Sequence, residues 1–215
     1  MNEKIGALFD LDGVLVDTEG IYTEFWANID RKYPTGVDNF AYVIKGNTLP
    51  AILGKYYPDK NLQRLIIAEL EESERTMRYQ LFCGVDDFLD RLHAAGISMA
   101  VVTSSAANKM DNLYSQIQGF RKRFTAIVTA GDVTRSKPDP QGYLLAAERL
   151  GISPERCIVF EDSLAGLEAG RRAGAHVVGL TTTQPRELVV PLANLTVDAL
   201  AQLTVDELEA LVNGD

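Results

Sequence analysis

The sequence predicts an α/β fold in which helices cover both faces of a parallel sheet and a separate helical unit is inserted after the first strand. After Gly84, short apolar runs alternate with helical patterns, which is typical of a parallel sheet buried on both faces. An earlier apolar run at 5–9 must join the same sheet, because an isolated strand is not stable alone. The stretch between 18 and 82 has helical spacing and no convincing strand, so we interpret it as the inserted unit.

The predicted elements follow one another in a simple order. In the inserted unit, a helical spacing of four residues runs from Ile21 and is repeated from Thr48, and a long helix is predicted from Asn61 to Leu81. The strands predicted after Gly84 are 98–103, 126–130, 156–160 and 176–180. A helix precedes each of them, and the acidic tail that follows the last strand contains one more short amphipathic helix.

This order of elements predicts two domains. The α/β core domain comprises residues 1–15 and 83–215, and a small helical cap domain comprises residues 16–82. The chain crosses between them twice, and we predict hinges at these crossings, near 17–18 and 83–84. Closure of such a cap over the core would exclude water from a bound substrate and shape specificity.

Composition and charge exclude several classes of protein. The 215 residues include 30 acidic and 21 basic ones, for a formal charge of −9, which argues against nucleic-acid binding and against a polybasic membrane anchor. Cys83 and Cys157 suit neither a zinc site nor a disulfide framework. The first apolar run is too short for a signal peptide, and no segment approaches the ~18 apolar residues of a membrane span. We therefore expect a cytoplasmic, soluble monomer.

The candidate catalytic and binding residues stand at the carboxyl ends of the predicted strands. They are Asp10 and Asp12 after the first strand, Thr103 and Ser104 at the second, Lys137 after the third, and Glu161 and Asp162 after the fourth. Each group alone has a simpler explanation, such as a turn or a helix cap. Together they are expected to meet at one edge of the sheet, where open parallel sheets bind ligands.

Such a cluster suits metal-assisted phosphoryl transfer. Four carboxylates close together repel one another, and a hard cation such as Mg²⁺ relieves that repulsion while it binds a phosphate oxygen. One ionised aspartate can attack phosphorus to form an aspartyl-phosphate. A second aspartate can protonate the leaving oxygen and then activate water. A lysine and hydroxyl groups compensate charge on the phosphoryl oxygens.

Four segments resemble, in order, the four motifs of the haloacid dehalogenase (HAD) superfamily, and the resemblance is closest to its β-phosphoglucomutase-like phosphatase branch. They are FDLDGVLVDTE, VVTSS, SKPDP and VFEDSLAGLEAGRRAG. The resemblance covers essentially the whole chain and implies a Rossmann-like core with an inserted helical cap. It also implies a Mg²⁺-dependent enzyme in which Asp10 is the nucleophile and Asp12 the general acid/base.

The resemblance further implies which residues bind the metal. The ligands would be the Asp10 side chain, the backbone carbonyl of Asp12, and Asp162. Glu161 would bind the metal either directly or through another ligand.

The phosphate-binding residues are likewise implied by the resemblance. The Thr103 hydroxyl and the backbone N–H of Ser104 would bind phosphate, and Lys137 would bridge phosphate and Asp10. An acid at Asp12 argues against the superfamily's founding reaction, because a haloalkanoate has no leaving oxygen to protonate. Phosphoryl transfer is therefore the predicted reaction.

The cap decides between a phosphatase and a mutase. β-Phosphoglucomutases have a histidine ten residues after the general acid/base, where this chain has Tyr22, and an arginine after a Lys-Gly pair. Here Lys45-Gly46 is present, but Leu49 stands where that arginine would be. Lys45 and Asn47 offer a partial substitute. We predict a phosphatase acting on small phosphorylated metabolites, sugar phosphates above all, with Tyr22, Lys45 and Asn47 as substrate contacts, and keep a β-phosphoglucomutase as the alternative.

Other functions receive less support from the sequence. A pyrophosphatase and a non-catalytic phosphate-binding module are weaker alternatives, the second because an inactive protein gains nothing from four mutually repelling acids. The two histidines, His93 and His176, fall in a predicted helix and a predicted strand, which is unlike a Ser-His-Asp hydrolase.

Overall fold

The computed structural model describes residues 4–214, so the ends of the predicted core range, residues 1–3 and 215, lie outside the described residues. The strands are β1 (Gly6–Phe9), β2 (Ser98–Val102), β3 (Ala126–Val128), β4 (Cys157–Glu161), β5 (His176–Leu180) and β6 (Leu195–Val197). The α-helices are α1 (Glu19–Lys32), α2 (Phe40–Val43), α3 (Leu49–Tyr56), α4 (Lys60–Thr76), α5 (Val85–Ala94), α6 (Ala107–Gln116), α7 (Gln141–Leu150), α8 (Leu164–Arg172), α9 (Arg186–Val189) and α10 (Val205–Asn213).

The strands form one parallel sheet in the order β3-β2-β1-β4-β5-β6. β1 lies in the middle, where Phe9 is opposite Val101 of β2 and Phe160 of β4. The chain fills one half of the sheet and then crosses back to fill the other, so the order reverses between β1 and β4. Ligands bind at such a reversal in open α/β sheets. The predicted Rossmann-like parallel sheet is confirmed.

Alternate residues of the central strand point into two apolar layers. Phe9 packs on one face of the sheet, where its ring stacks on Phe160 with centroids 4.5 Å apart and meets Phe88 of α5 edge-on. Leu8 packs on the other face, in the layer that contains Tyr143 of α7. Full burial of such side chains contributes roughly 1.5–3 kcal/mol each, and it fixes the position of the strand end that follows Phe9.

The helices α1 to α4 share a third apolar cluster that does not include the strands. It contains Trp26 of α1, Phe40 of α2, Ile52 of α3 and Ile66 of α4. Ile21, from which the predicted stripe of α1 begins, is instead 39% exposed. The inserted unit therefore packs around a core of its own, as a cap domain would.

The two segments that connect this unit to the sheet run side by side. The backbone N–H of Asp17 donates to the carbonyl of Gln80 (2.9 Å), and that of Phe82 donates to the carbonyl of Leu15 (3.1 Å). Both predicted hinges lie beside this pair of hydrogen bonds. A movement of the cap would therefore bend the two crossings together.

The predicted extent of the long cap helix is wrong at its end. α4 ends at Thr76, and Met77 has extended backbone angles. Leu81, which was predicted to belong to the helix, instead forms an antiparallel bridge with Val16. The helical spacing of apolar residues continues past Thr76 because Met77 is buried in the core next to the sheet, and not because the helix continues.

Capping residues set the ends of the other helices. The Asp59 carboxylate accepts from the N–H of Asn61, so α4 begins one residue before its predicted start. Ser163 caps α8, where its side chain accepts from the N–H of Gly166. Gly151, in the left-handed region, ends α7. The C-terminal helix α10 is also confirmed, and Thr204 begins it with a capping box.

The sequence did not predict the edge strand β6, which is three residues long and pairs with β5. Such a short edge strand has too few residues to show an alternating pattern. The predicted strand ends also shift: β3 stops at Val128, and β4 continues through Glu161. Among residues 4–214, no helix is long and apolar enough to cross a membrane.

Candidate active site

A buried lysine joins the ends of three strands. The Nζ atom of Lys137 donates to Asp10 Oδ1 (2.6 Å), to Glu161 Oε1 (2.5 Å) and to the carbonyl oxygen of Val102 (3.2 Å). Lys137 is 7% exposed, and Glu161 is fully buried. The structure thus brings three of the residues predicted from separate strand ends into one contact network.

The Glu161 carboxylate is surrounded by donors. Besides Lys137, it accepts from Tyr143 Oη (2.8 Å), from the backbone N–H of Asp162 and Ser163 (3.0 and 3.1 Å), and from Ser163 Oγ (3.0 Å). A Cβ atom at Gly166 of α8 would lie 1.8 Å from Glu161 Oε1. Only glycine leaves room there for the carboxylate. Glu161 therefore acts first as an anchor for Lys137 and for the start of α8.

Burial and neighbouring charges shift the proton affinity of this network. Burial raises the pKa of Asp10 to about 8, against the opposing effect of Lys137. For Lys137, burial disfavours the charged form, but Asp10 and Glu161 outweigh it and the pKa is raised above its usual value. A further cation beside Asp10 would favour the ionised form of this predicted nucleophile at neutral pH.

The residues around Asp10 fit such a cation. One carboxylate oxygen each of Asp10, Glu161 and Asp162 lies within 4.8 Å of the others, and all three residues are buried. The backbone approaches them closely at Gly13, where φ is +81° and a Cβ atom would lie 2.0 Å from Asp162 Oδ2. A donor set made only of carboxylate oxygens suits a hard divalent cation.

The Asp12 side chain belongs to a different network. Lys109 Nζ donates to both of its oxygens, at 2.6 and 2.5 Å, and Ser105 Oγ donates to Oδ2 at 3.1 Å. Thr18 Oγ1 also donates to Oδ1. Lys109 is 1% exposed. Because its carboxylate is directed to Lys109, Asp12 has its backbone carbonyl as the group suited to the metal role that the resemblance implies.

The predicted phosphate-binding residues lie beside these networks. Thr103 is 5% exposed, and its Oγ1 accepts from the N–H of Ser105 (3.0 Å). Ser104 Oγ donates to the carbonyl oxygen of Gly46 (2.9 Å) and so joins the core to the loop between α2 and α3. Both residues line the cavity described next.

A cavity of about 500 Å³ lies between the sheet edge and the inserted helices, a volume suited to a small metabolite. Asp10 and Asp12 line its core side, and the predicted cap residues Tyr22, Lys45 and Asn47 line the other. The cap residues also have contacts of their own. Tyr22 Oη donates to Glu74 Oε1 (2.7 Å), and Lys45 Nζ lies 4.9 Å from the centroid of the Tyr42 ring. Asn47 Nδ2 donates to the carbonyl of Ile44 (3.0 Å).

A family model described as haloacid dehalogenase-like hydrolase matches residues 7–180, and these include every residue discussed at the site. The chain belongs to the haloacid dehalogenase-like hydrolase family.

Relatives of this haloacid dehalogenase-like hydrolase include two phosphatases of Escherichia coli. It is 32% identical to hexitol phosphatase A, over 93% of this chain and 93% of that protein. It is 30% identical to a fructose-1-phosphate phosphatase, over 80% of this chain and 94% of that protein. A solved structure of a putative β-phosphoglucomutase from Bacteroides vulgatus matches with a TM-score of 0.80 and 25% identity, over 99% of this chain and 90% of that chain.

These matches confirm two predictions from the sequence. The chain is a member of the predicted superfamily, with β-phosphoglucomutase-like structures among its neighbours, and it is a phosphoric monoester hydrolase. The family match leaves the roles of individual residues as predictions. The geometry adds where each of those residues lies.

Two residues at the site of this hydrolase, Lys109 and Glu74, were not predicted from the sequence. Lys109 lies on α6, one helical turn after Ser105, and its neighbour Met110 is buried on the same helix. A lysine on the buried face of an amphipathic helix is a signal that helical periodicity offers. Glu74 of α4 reaches the cavity near the end of its helix. It lies 52 residues from its partner Tyr22, so no local pattern links them.

Proposed function

We propose that this hydrolase is a Mg²⁺-dependent phosphatase of small phosphorylated metabolites, sugar phosphates among them, that acts through an aspartyl-phosphate. The observation that carries the proposal is the arrangement of two aspartates at one end of a metabolite-sized cavity, each paired with its own lysine. Asp10 is paired with Lys137, and Asp12 with Lys109. The two phosphatases similar to this chain support the substrate class.

The metal would be held by Asp10, Asp162 and the backbone carbonyl of Asp12, with Glu161 anchoring Lys137 beside them. When bound, Mg²⁺ supplies positive charge that favours the ionised form of Asp10 and neutralises the phosphoryl oxygens. This role agrees with the pKa of Asp10, which burial raises to about 8 despite Lys137, so that without a metal the carboxyl is largely protonated at neutral pH.

In the first step, a carboxylate oxygen of Asp10 attacks phosphorus and the ester P–O bond breaks. The leaving oxygen takes a proton from Asp12, and the phosphoryl group remains on Asp10 as an acyl phosphate. The hydroxyl of Thr103, the backbone N–H of Ser104 and the ammonium of Lys137 compensate charge on the non-bridging oxygens.

In the second step, water attacks phosphorus and the bond between phosphorus and the Asp10 oxygen breaks. Asp12, now a carboxylate, takes the proton of this water. Inorganic phosphate leaves, and both aspartates return to their starting state. Lys109 and Thr18 hold the carboxylate of Asp12 in place by hydrogen bonds.

The proposal favours a phosphatase over a mutase because of the cap. Tyr22 stands in place of the mutase histidine, and its hydroxyl donates a hydrogen bond to Glu74. Leu49 lines the cavity in place of the arginine that would bind a second phosphate. A mutase must hold both ends of a bisphosphate while the sugar reorients. The cap residues named here offer one cation, Lys45, for that purpose.

We further propose that the enzyme works as a monomer in the cytoplasm. Asp10, Asp12, Thr103 and Ser104 of this chain line one cavity, and Lys137 of the same chain contacts Asp10 directly. The cysteines, exposed Cys83 and buried Cys157, are both free thiols, which agrees with a reducing compartment. Sedimentation at assay concentration tests the monomer, and a stable dimer would contradict it.

The decisive experiment is a phosphate-release assay on a panel of sugar phosphates, nucleotides and pyrophosphate, with Mg²⁺ or with EDTA. We expect phosphate release from sugar phosphates with Mg²⁺ only. Asp10→Asn should abolish turnover and keep the fold, whereas the same change at exposed Asp38 should leave turnover intact. Metal-dependent turnover that survives Asp10→Asn would overturn the nucleophile.

The same panel separates the alternatives. Conversion of β-glucose 1-phosphate to glucose 6-phosphate without net phosphate release would indicate a mutase. Turnover of pyrophosphate alone would indicate a pyrophosphatase. Absence of turnover on every compound would support a phosphate-binding module and overturn the proposed phosphatase.

A further inference from the structure

The cavity has two unlike ends. The core end carries the aspartates and lysines described above, whereas the wall contributed by the inserted helices is largely apolar. Its apolar side chains are Trp26, Ile44, Leu49, Ile52, Ile67 and Leu70. A leaving group bound to a phosphoryl group at Asp10 must lie against this wall, because the cavity extends in that direction.

The same wall carries negative charge. Glu71 and Glu74 line it from α4, three residues apart and so on one face of the helix. Burial raises the pKa of Glu74, with Asp12 and Glu71 acting in the same direction against Tyr22 and Lys109. The two carboxylates are thus close enough to repel each other, and a further anion next to them would add to that repulsion.

The cations at the cavity do not offset this charge for a second phosphate. Lys109 already donates to both oxygens of Asp12, and Lys137 is buried between Asp10 and Glu161. Lys45 is the cation of the cap wall, and its Nζ lies over the ring of Tyr42. Among residues 4–214, the cap wall of the cavity therefore carries one lysine and two glutamates.

From this arrangement we infer that the site selects phosphate monoesters whose leaving group is uncharged and presents an apolar face, and that it rejects leaving groups with a second phosphate or a carboxylate. This inference rests on the proposed phosphatase function and names the substrate class within it. The C–H groups of a sugar ring or a polyol chain form such an apolar face, and Trp26 offers an aromatic surface for it.

Binding to the Asp10→Asn variant with Mg²⁺, measured by calorimetry, tests the inference without hydrolysis. The probes are matched pairs: glucose 6-phosphate with glucose 1,6-bisphosphate, and phenyl phosphate with 4-carboxyphenyl phosphate. In each pair, we expect the member whose leaving group is uncharged to bind about tenfold more tightly or better. The ratio of the two dissociation constants should shrink at higher salt, because charge repulsion is screened.

A charge reversal on the cap wall sharpens the test. Glu71→Lys should reduce the ratio of the two dissociation constants about tenfold in both pairs, because it replaces a repelling charge with an attracting one. The matched control is Glu72→Lys on the same helix, where the side chain is exposed and paired with Arg75 outside the cavity. The ratios should stay unchanged in that variant.

The outcomes distinguish this inference from the proposed function. The inference would be overturned if the probes with a charged leaving group bound equally or more tightly, or if Glu71→Lys and Glu72→Lys had equal effects. Either result would leave the proposed phosphatase function standing, provided that phosphate is released in the panel. If no member of either pair binds and the panel shows no turnover, the proposed function fails and the inference fails with it.

Discussion

The Nζ atom of Lys109 lies 2.6 and 2.5 Å from the two carboxylate oxygens of Asp12, and this lysine is almost wholly buried. Two residues earlier, Asp10 has the equivalent partner in Lys137. The end of β1 therefore presents two aspartate–lysine pairs, and the lysines reach them from different parts of the chain. The proposed nucleophile and the proposed general acid/base are held independently of each other.

This pairing predicts a selective defect in Lys109→Met. Removal of the ammonium leaves Asp12 without its main partner, so the carboxylate no longer has one fixed position from which to protonate a leaving oxygen. General acid catalysis contributes roughly 10²- to 10⁴-fold, and it matters most for poor leaving groups. We expect kcat to fall about 100-fold for alkyl phosphates and much less for p-nitrophenyl phosphate, whose leaving group needs no proton.

Steady-state kinetics on both substrates measure this difference. Lys122→Met, at an exposed lysine, is the control and should leave both rates unchanged. An equal loss on the two substrates would show that Lys109 acts only through the fold, as would a loss that follows thermal stability alone.

A second prediction concerns the space beside Glu161. In Gly166→Ala, the new methyl group would meet the Glu161 carboxylate at 1.8 Å. The carboxylate has little freedom to move away, because Lys137, Tyr143 and the N–H of Ser163 all donate to it. We expect a lower melting temperature and a loss of metal-dependent activity.

The matched control for this change is Gly54→Ala in α3, another helical glycine, which has no heavy atom within 4 Å of its added methyl group. Alanine there should stabilise the helix by up to about 1 kcal/mol. Thermal denaturation of both variants compares them directly. A Gly166→Ala variant as stable and active as the Gly54→Ala variant would contradict the crowding around Glu161.

A third prediction follows from the raised pKa of Asp10. In the folded, metal-free protein the Asp10 carboxyl stays protonated up to about pH 8, whereas its ordinary pKa is 3.8. Between these two pH values the folded protein therefore binds more protons than the unfolded chain. The contribution of Asp10 to the free energy of unfolding is therefore present at low pH and is lost as the pH rises towards 8, by up to about 1.4 kcal/mol per pH unit. Metal binding needs the carboxylate and releases the proton, so Mg²⁺ should stabilise more as the pH rises.

Melting temperatures with EDTA and with Mg²⁺, between about pH 5 and about pH 9, measure both effects. In Asp10→Asn, the metal-free protein should lose this part of its pH dependence, and the Mg²⁺ shift should shrink at every pH. A Mg²⁺ shift that is independent of pH in the unmodified protein would show that Asp10 is already ionised without the metal.

The sequence was most informative where function depends on strand ends. Asp10, Lys137 and Glu161 could be placed together before any coordinates, because each follows a short apolar run and parallel strands share one edge. The partner of Asp12 could not, because Lys109 reaches it from the buried face of a helix. Its register against β1 depends on packing, and sequence spacing does not report packing.

The cap was less predictable for the same physical reason. Tyr22, Lys45 and Asn47 do line the cavity, yet their partners are set by how four helices pack around Trp26 and its neighbours. The bond between Tyr22 and Glu74 joins two helices with no local pattern in common.

The last prediction concerns the contact between the cap and the core. Gly46, at φ +78°, accepts a hydrogen bond from Ser104 through its carbonyl oxygen, and a Cβ atom on it would lie 2.6 Å from Ser163 Oγ. Ser163 is not free to turn aside, since its hydroxyl donates to Glu161 and accepts from the N–H of Gly166. Gly46→Ala should therefore hold the cap loop away from the core and impair closure over the substrate.

A matched control isolates this contact from backbone strain. Gly36 has a similar φ of +73° but no heavy atom within 4 Å of an added methyl group. Both alanine variants should lose about 1–2 kcal/mol of stability from the left-handed conformation. Only Gly46→Ala should also lower kcat/KM, by about tenfold or more, because only there does the methyl group meet the core. If Gly36→Ala lowered kcat/KM as much, strain in the cap would account for both effects, and the loop at Gly46 would have no special part in closure.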